Sequence, residues 1–233
     1  MTTDQTYAVT EAAGLPETRL PDDLLAQLPT SVAGAPWHTT CQVVTWLHPL
    51  EDAAIEAFPD AIRPDSLAMV AWALVRYTDT PVGPYSEVAA TLIPNGGDGY
   101  GHIPFIVVDS LPSIVGGRAN WLLPKALGRF DWAEDGRTVT ATSHQPAEPA
   151  WSMTVSFEQP GDASPVAIPN HVEQVTTDGV VRRFDGTITG NLAGVKIVVE
   201  GHADGPLAAL LRPGGYDGSI MTDCEFDVGP LNP

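Results

Sequence analysis

A chain of 233 residues is longer than one minimal domain needs and shorter than two comfortable ones, so a single domain with its own core is expected. With 43% hydrophobic and 17% charged residues, its composition excludes a disordered chain. Its 11 basic and 29 acidic residues leave a net charge of −18, which makes nucleic acid and anionic membrane surfaces poor partners.

Residues 1–20 lack periodicity and read as a loosely held arm preceding one domain over 21–233. Residues 21–28, opened by proline, read as a short helix. Residues 39–47 are rich in β-branched and aromatic side chains and read as a strand, followed by a helix over 51–58 with proline on either side. Further strands are expected at 67–77, 82–93, 103–108, 138–143, 151–158, 180–190, 194–200 and 220–228. Two later segments, 122–127 and 206–211, look helical, and 160–169 reads as a loop between two halves of the domain. Twenty-two prolines and 22 glycines punctuate the strands closely, which suits an antiparallel barrel or pair of sheets better than a parallel βαβ wind. The longest apolar runs, 67–75 and 103–108, fall well short of the roughly 18 residues of a spanning helix, and no leader pattern opens the chain. A cytoplasmic protein is expected.

Several motifs are bland on inspection. Cys41 and Cys224 are far apart in sequence with no CxxC, which argues against a zinc ribbon, a redox dithiol or a disulfide scaffold. The glycine-rich run from Asn95 to Gly101 lacks GxGxxG or Walker spacing and reads as a hairpin loop. His202 and Asp204 form the one close His/Asp pair, with no third ligand nearby in sequence, so no metal site is expected.

The chemistry concentrates in Gly116-Gly117-Arg118-Ala119-Asn120-Trp121-Leu122-Leu123-Pro124-Lys125-Ala126-Leu127-Gly128. Lys125 is one of only two lysines and is flanked by apolar residues. A lysine with the ordinary pKa of about 10.4 is neutral in about one molecule in several thousand at pH 7, whereas apolar burial drives that pKa down. A neutral amine attacks a ketone, and the resulting iminium draws electrons from the adjacent carbon. The competing reading places Lys125 along a short helix with its ammonium in water. Lys196, in an alternating strand segment, falls on the polar face and reads as structural.

This segment resembles the active-lysine segment of the acetoacetate decarboxylase family: a Gly-Arg pair, an apolar spacer, then Pro-Lys-x-Leu-Gly, with Arg118 seven residues before Lys125. Upstream, the run from Tyr77 through Gly83, Tyr85 and Glu87 is similar to the family's strand-turn-strand, in which Gly-x-Tyr-x-Glu delivers a carboxylate. The likeness spans roughly residues 37–228. It implies a cone-like antiparallel β-barrel with a few short helices around a central, mostly apolar cavity. It also implies Lys125 as imine former with Glu87 beside it as proton shuttle or ion-pair partner, and no metal or organic cofactor. Arg118, Tyr85 and Trp121 are the expected substrate-binding positions, Arg118 having the alternative role of fixing the lysine loop.

The chain departs from the family pattern twice. Ala126 stands where the decarboxylases carry a second lysine, and Thr39 falls near the position of their cavity arginine. Without a neighbouring ammonium, the pKa of Lys125 rests on desolvation and on Glu87. The reading is a homo-oligomeric Schiff-base lyase acting on a small keto acid, by decarboxylation or by aldol and dehydration chemistry. Two alternatives stay open: a non-catalytic binder of a small apolar ligand in the same barrel, and a structural relic.

Overall fold

Wherever β-branched and aromatic residues alternate with small polar ones, the chain pairs into strands. The computed structural model describes residues 12–49, 52–96, 99–144 and 150–232. After a one-turn helix α1 (Asp22–Leu25), strands β1 (Trp37–Pro49), β2 (Leu67–Asp79), β3 (Tyr85–Pro94) and β4 (Gly101–Val108) form an antiparallel meander. Helix α2 (Leu111–Trp121) then crosses to β5 (Lys125–Trp132), which lies parallel to β4. Strands β6 (Thr138–Ser143) and β7 (Trp151–Phe157) continue antiparallel from it, followed by β8 (Ser164–Val175), β9 (Val181–Ala203) and β10 (Gly214–Val228).

β9 is long enough to pair with β8 in its first part, with β10 along its middle and with β7 at its end. β10 also pairs with β1, and β4 touches β8 in parallel at Gly101 with Val172 and His102 with Glu173. The sheet therefore closes twice, once through β5, β6 and β7 and once through β8, with β1 to β4, β9 and β10 common to both circuits. Because successive residues of a strand point to opposite faces, the shared strands furnish both interiors. Trp46, Trp72, Val88 and Phe105 meet Val139, Met153, Val155 and Ile197 in the main core. Trp46 stacks on Trp72 at 6.0 Å, and Phe105 stands edge-on to Trp72 and Trp151 at 5.9 and 5.3 Å. The alternate residues of the same strands face the second circuit.

This is the expected architecture, mainly β and antiparallel. Every expected strand falls on an observed one, 180–190 and 194–200 being parts of the single strand β9. Five local expectations are corrected. No helix covers 122–127: α2 ends at Trp121, Leu122 caps it in the left-handed conformation at φ 57°, and Lys125 opens β5. Pro124 has no N–H to continue a helix, which enforces the stop. The loop expected over 160–169 is largely β8, which accommodates Pro165 and Pro169 because over that stretch it pairs with β9 alone. The helices expected near 51–58 and 206–211 are 3-10 turns, Asp52–Ala57 and Gly205–Ala209, with Glu51 outside the described residues. Of the expected arm, residues 1–11 lie outside the described residues, and the rest is held: Ala12 bridges Thr176, the Leu15 amide donates to the Pro104 carbonyl at 2.9 Å, and Leu15 and Thr18 are buried.

Residues 95–100 join β3 to β4 as a hairpin, with Gly97 and Asp98 outside the described residues. Cys41 and Cys224, remote in sequence, are register partners across β1 and β10, both buried and free. Lys196 is exposed and pairs with Asp217. Among the described residues no helix is long and apolar enough to cross a membrane.

His102 on β4 gives the fold a pH signature. It is 1% exposed, its ring lies 5.7 Å from Phe58, and Nδ1–H donates to the Glu173 carbonyl at 3.2 Å. Burial disfavours the imidazolium and pushes its pKa down to about 4, against 6.5 unperturbed. Between those values the unfolded chain binds a proton that the native chain does not. Its contribution is therefore complete above pH 6.5, falls as pH drops and is gone near pH 4. At about 1.4 kcal/mol per pKa unit the loss is roughly 3 kcal/mol. Urea denaturation across this range is expected to show that decline, and the His102→Gln variant a clearly shallower one.

Candidate active site

Lys125 is fixed before its side chain makes any contact. Behind the left-handed cap, the Leu123 amide donates to Gly117 O at 3.1 Å and the Lys125 amide to Leu123 O at 2.7 Å. Arg118, one helical turn back, donates Nε–H to Lys125 O at 2.7 Å and Nη2–H to Thr18 O at 2.6 Å. The lysine stem then runs along α2 at Gly117, where a Cβ would lie 2.5 Å from Cδ and 2.7 Å from Cε. Glycine is what lets helix and lysine approach this closely. Gly116 does the same for Trp37, whose ring edge would lie 2.4 Å from a Cβ there.

The ammonium contacts three polar groups. Nζ lies 2.7 Å from Glu87 Oε2, donates to Ser113 Oγ at 3.0 Å and to Tyr85 Oη at 3.3 Å, and stands 5.0 Å from the centre of the Tyr85 ring. Tyr77 Oη–H donates to Glu87 Oε1 at 3.3 Å, and the two tyrosine rings are 4.4 Å apart. Lys125, Glu87, Tyr77, Tyr85 and Ser113 are all buried. Strand register explains the convergence. Tyr77 faces Tyr85 across β2 and β3, Glu87 follows two residues on and so shares the Tyr85 face, and β5 brings Lys125 alongside Ile106 of β4.

Burial works to lower the Lys125 pKa, but the Glu87 carboxylate and the Tyr85 hydroxyl outweigh it and hold the amine above its ordinary value. Burial likewise raises both phenols, Tyr77 well above the usual tyrosine value with the Glu87 charge adding to the effect. Each therefore remains a hydrogen-bond donor at neutral pH. Of the two opposing influences expected on Lys125, desolvation and the Glu87 charge, the carboxylate prevails, and the two groups stand as an ion pair.

The pair closes one side of a cavity of about 210 Å³ whose walls are mostly apolar, among them Val43, Val75, Ala89, Ile103, Ile106 and Leu123. Ile168, Pro169 and Asn170 of β8 supply its more exposed lining. Trp121 also lines it, pinned by Nε1–H donation to Gly229 O at 2.6 Å and by an edge-on contact with Trp37 at 5.0 Å. Four of the five expected site residues, Lys125, Glu87, Tyr85 and Trp121, meet at this cavity. Arg118 is turned away, toward backbone carbonyls and a separate hollow beside Thr18 and Arg19, so the geometry matches its loop-fixing role and not substrate contact. Burial lowers its pKa to about 10, which leaves it charged at neutral pH. Ala126, on the opposite face of β5 from Lys125, packs into the main core.

Two site residues were not singled out in the sequence. Tyr77 lay within the strand-turn-strand segment, and its register with Tyr85 was the signal available. Ser113 had none, because α2 was not expected.

A twice-closed, mostly antiparallel sheet thus holds a buried lysine-carboxylate pair at a partly open, largely apolar cavity. The sequence matches the family described as acetoacetate decarboxylase (ADC) over residues 26–207, most of its length, and the chain belongs to that family. No curated protein matches it in sequence. Solved structures share the fold. An acetoacetate decarboxylase superposes with a TM-score of 0.60 at 15% identity, covering 91% of this chain and 97% of that one. An acetoacetate decarboxylase-like enzyme from Sphingomonas wittichii RW1 gives 0.58 at 17%, covering 94% and 99%. The enduracididine biosynthesis enzyme MppR, complexed with pyruvate, gives 0.57 at 16%, covering 87% and 91%.

Gly117→Ala tests the packing of the lysine. The helix gains up to about 1 kcal/mol of propensity, so the circular dichroism spectrum should be retained, but Cδ and Cε must move and Nζ leaves its partners. Mass-mapped acylation at neutral pH is expected to find Lys125 protected in the parent and modified in the variant. Equal protection in both would contradict the close approach.

Proposed function

We propose that this protein is a Schiff-base-forming lyase that acts on a small carbonyl substrate through Lys125, the keto acids being the class toward which family membership points. The observation that carries the proposal is a buried lysine Nζ 2.7 Å from a buried carboxylate, on the wall of an apolar cavity. Such a lysine has no need of a permanently low pKa if its proton has a nearby acceptor, and Glu87 is one. Transfer from Nζ to Glu87 leaves a neutral amine whose lone pair attacks the substrate carbonyl. The carbonyl oxygen leaves as water, having taken up two protons from the amine by way of Glu87. The product is an iminium beside the restored carboxylate. In a β-keto acid the electrons of the bond to the carboxylate then move into the iminium, releasing CO₂ and leaving an enamine. In aldol or dehydration chemistry the same iminium acidifies the α-carbon, and Glu87 takes its proton.

In this scheme Tyr85 and Ser113 orient Nζ, and Tyr77 holds the outer carboxylate oxygen. Trp121 shapes the wall. No step calls for a metal or an organic cofactor, since the lysine itself supplies the electron sink. The two hydrogen bonds from Nζ, beside its ion-pair contact with Glu87, favour one second reading, a non-catalytic binder of small apolar ligands in which Lys125 and Glu87 are a structural pair.

Borohydride trapping with a panel of keto acids and ketones, followed by mass mapping, distinguishes the two. An adduct on Lys125 is expected, abolished by Lys125→Ala and unaffected by Lys196→Ala. Glu87→Gln should slow its formation by about 10²- to 10⁴-fold, the range of a lost general acid-base group. Saturable ligand binding without any adduct would establish the binder instead.

A further inference from the structure

The charges of the cavity point to a particular kind of substrate. Among the described residues that line it, the one basic and the one acidic side chain are Lys125 and Glu87, which form an ion pair at 2.7 Å. The polar remainder, Thr39, Tyr77, Tyr85, Thr91 and Asn170, is neutral. Arg118 gives its guanidinium to the carbonyls of Lys125 and Thr18 and lines a different hollow. The charges in the resting cavity therefore sum to zero. A substrate carboxylate entering it would be an additional buried anion with no cation of its own, in surroundings where an unmatched charge is heavily penalised. The chain as a whole, at −18, adds a long-range repulsion of the same sign.

We infer that the site selects an uncharged, apolar carbonyl compound, a ketone, aldehyde or keto ester, and carries it through iminium-enamine chemistry with Glu87 as the base at the α-carbon. This rests on the Schiff-base reading and sharpens its substrate class. The bookkeeping of charge and atoms is complete for such a compound. Lys125 ammonium and a neutral carbonyl form the C–N bond and break the C–O bond, two ammonium protons leaving with the oxygen as water. The positive charge stays on the same nitrogen, opposite the same carboxylate. Glu87 then removes an α-proton, the C–H pair becomes the C=C bond, and the iminium π pair returns to nitrogen. The result is a neutral enamine beside a neutral carboxylic acid. Every species sums to zero, as the resting cavity does. A keto acid takes the same path with one extra negative charge, carried through every step that precedes loss of CO₂.

Trapping with methyl pyruvate and pyruvate tests this, each rate divided by its rate on free Nα-acetyl-lysine so that intrinsic electrophilicity cancels. Salt at about 1 M shortens the screening length to about 3 Å and removes the long-range field. The normalised rate for the ester is expected to exceed that for the acid at least tenfold. Asn170→Arg, at the half-exposed part of the lining, should raise the ratio of the acid's normalised rate to the ester's at least tenfold. Thr39→Arg is a second placement of the same charge. With butanone in D₂O, α-proton exchange followed by NMR should be lost in Glu87→Gln at a fixed level of adduct. Pyruvate trapped as well as its ester, after normalisation, would overturn the substrate assignment and leave the Schiff base standing. No adduct on Lys125 with either compound would overturn both.

Discussion

The arrangement depends on one buried ion pair, Lys125 with Glu87. Taking an ammonium and a carboxylate out of water costs several kcal/mol for each ion, and mutual attraction offsets this only when the remaining hydrogen-bonding capacity is also met. Here Tyr85 and Ser113 accept from Nζ and Tyr77 donates to Glu87 Oε1, while Oε2 faces the ammonium alone at 2.7 Å. Each arrives on a different element, so β2, β3, α2 and β5 all have their positions constrained by one charge pair. Well-packed apolar residues of similar volume commonly stabilise a fold as well as or better than such a pair. Its presence is better accounted for by chemistry than by stability.

The double closure of the sheet makes that pair possible. One circuit, through β5 to β7, is filled by stacked tryptophans and aliphatic side chains and supplies rigidity. The other, through β8, stays hollow. Because the two share strands, consecutive residues of one strand serve opposite ends, and β5 shows this most directly: Lys125 belongs to the cavity and Ala126 to the packed core. A side chain at 126 therefore reaches the lysine through the strand and not across the cavity. The influence that adjacency in sequence suggested for that position is removed by the period of the strand.

The same period explains what could be read from the sequence. Strands were legible because each buries at least one face over part of its length, and β3 and β4 bury both, which leaves β-branched and aromatic runs between prolines and glycines. Lys125 and Glu87 were legible because a lysine in apolar company, and a carboxylate two residues after a tyrosine, stand out in a chain with only two lysines. Helix α2 was not, because its core-facing positions include Gly116 and Gly117, which weaken the helical signal while providing the clearance that Trp37 and Lys125 require. Missing the helix shifted the expected one onto 122–127 and hid Ser113. β8 was hidden by its prolines. The opposition of Cys41 and Cys224, like the turn of Arg118 away from the cavity, follows from register and from a loop conformation that no local pattern encodes.

The charge state of Lys125 is set by its surroundings. Desolvation and Glu87 act on it with opposite signs, and in the resting site the carboxylate prevails. That balance belongs to a cavity of given polarity. Apolar atoms that displace water from it raise the cost of both charges at once, whereas the neutral pair of amine and carboxylic acid bears no such penalty. Filling the cavity therefore moves the proton in one direction, from Nζ toward Glu87. On the Schiff-base reading the lysine is held as an unreactive ammonium while the site is wet and becomes a nucleophile when an apolar carbonyl compound occupies it. A carboxylate substrate works against this, because it draws water in with it and gives the ammonium a second partner. On that reading, the raised resting pKa and the absence of a further cation in the described lining fit one design, in which the occupant of the cavity governs the charge state of the lysine.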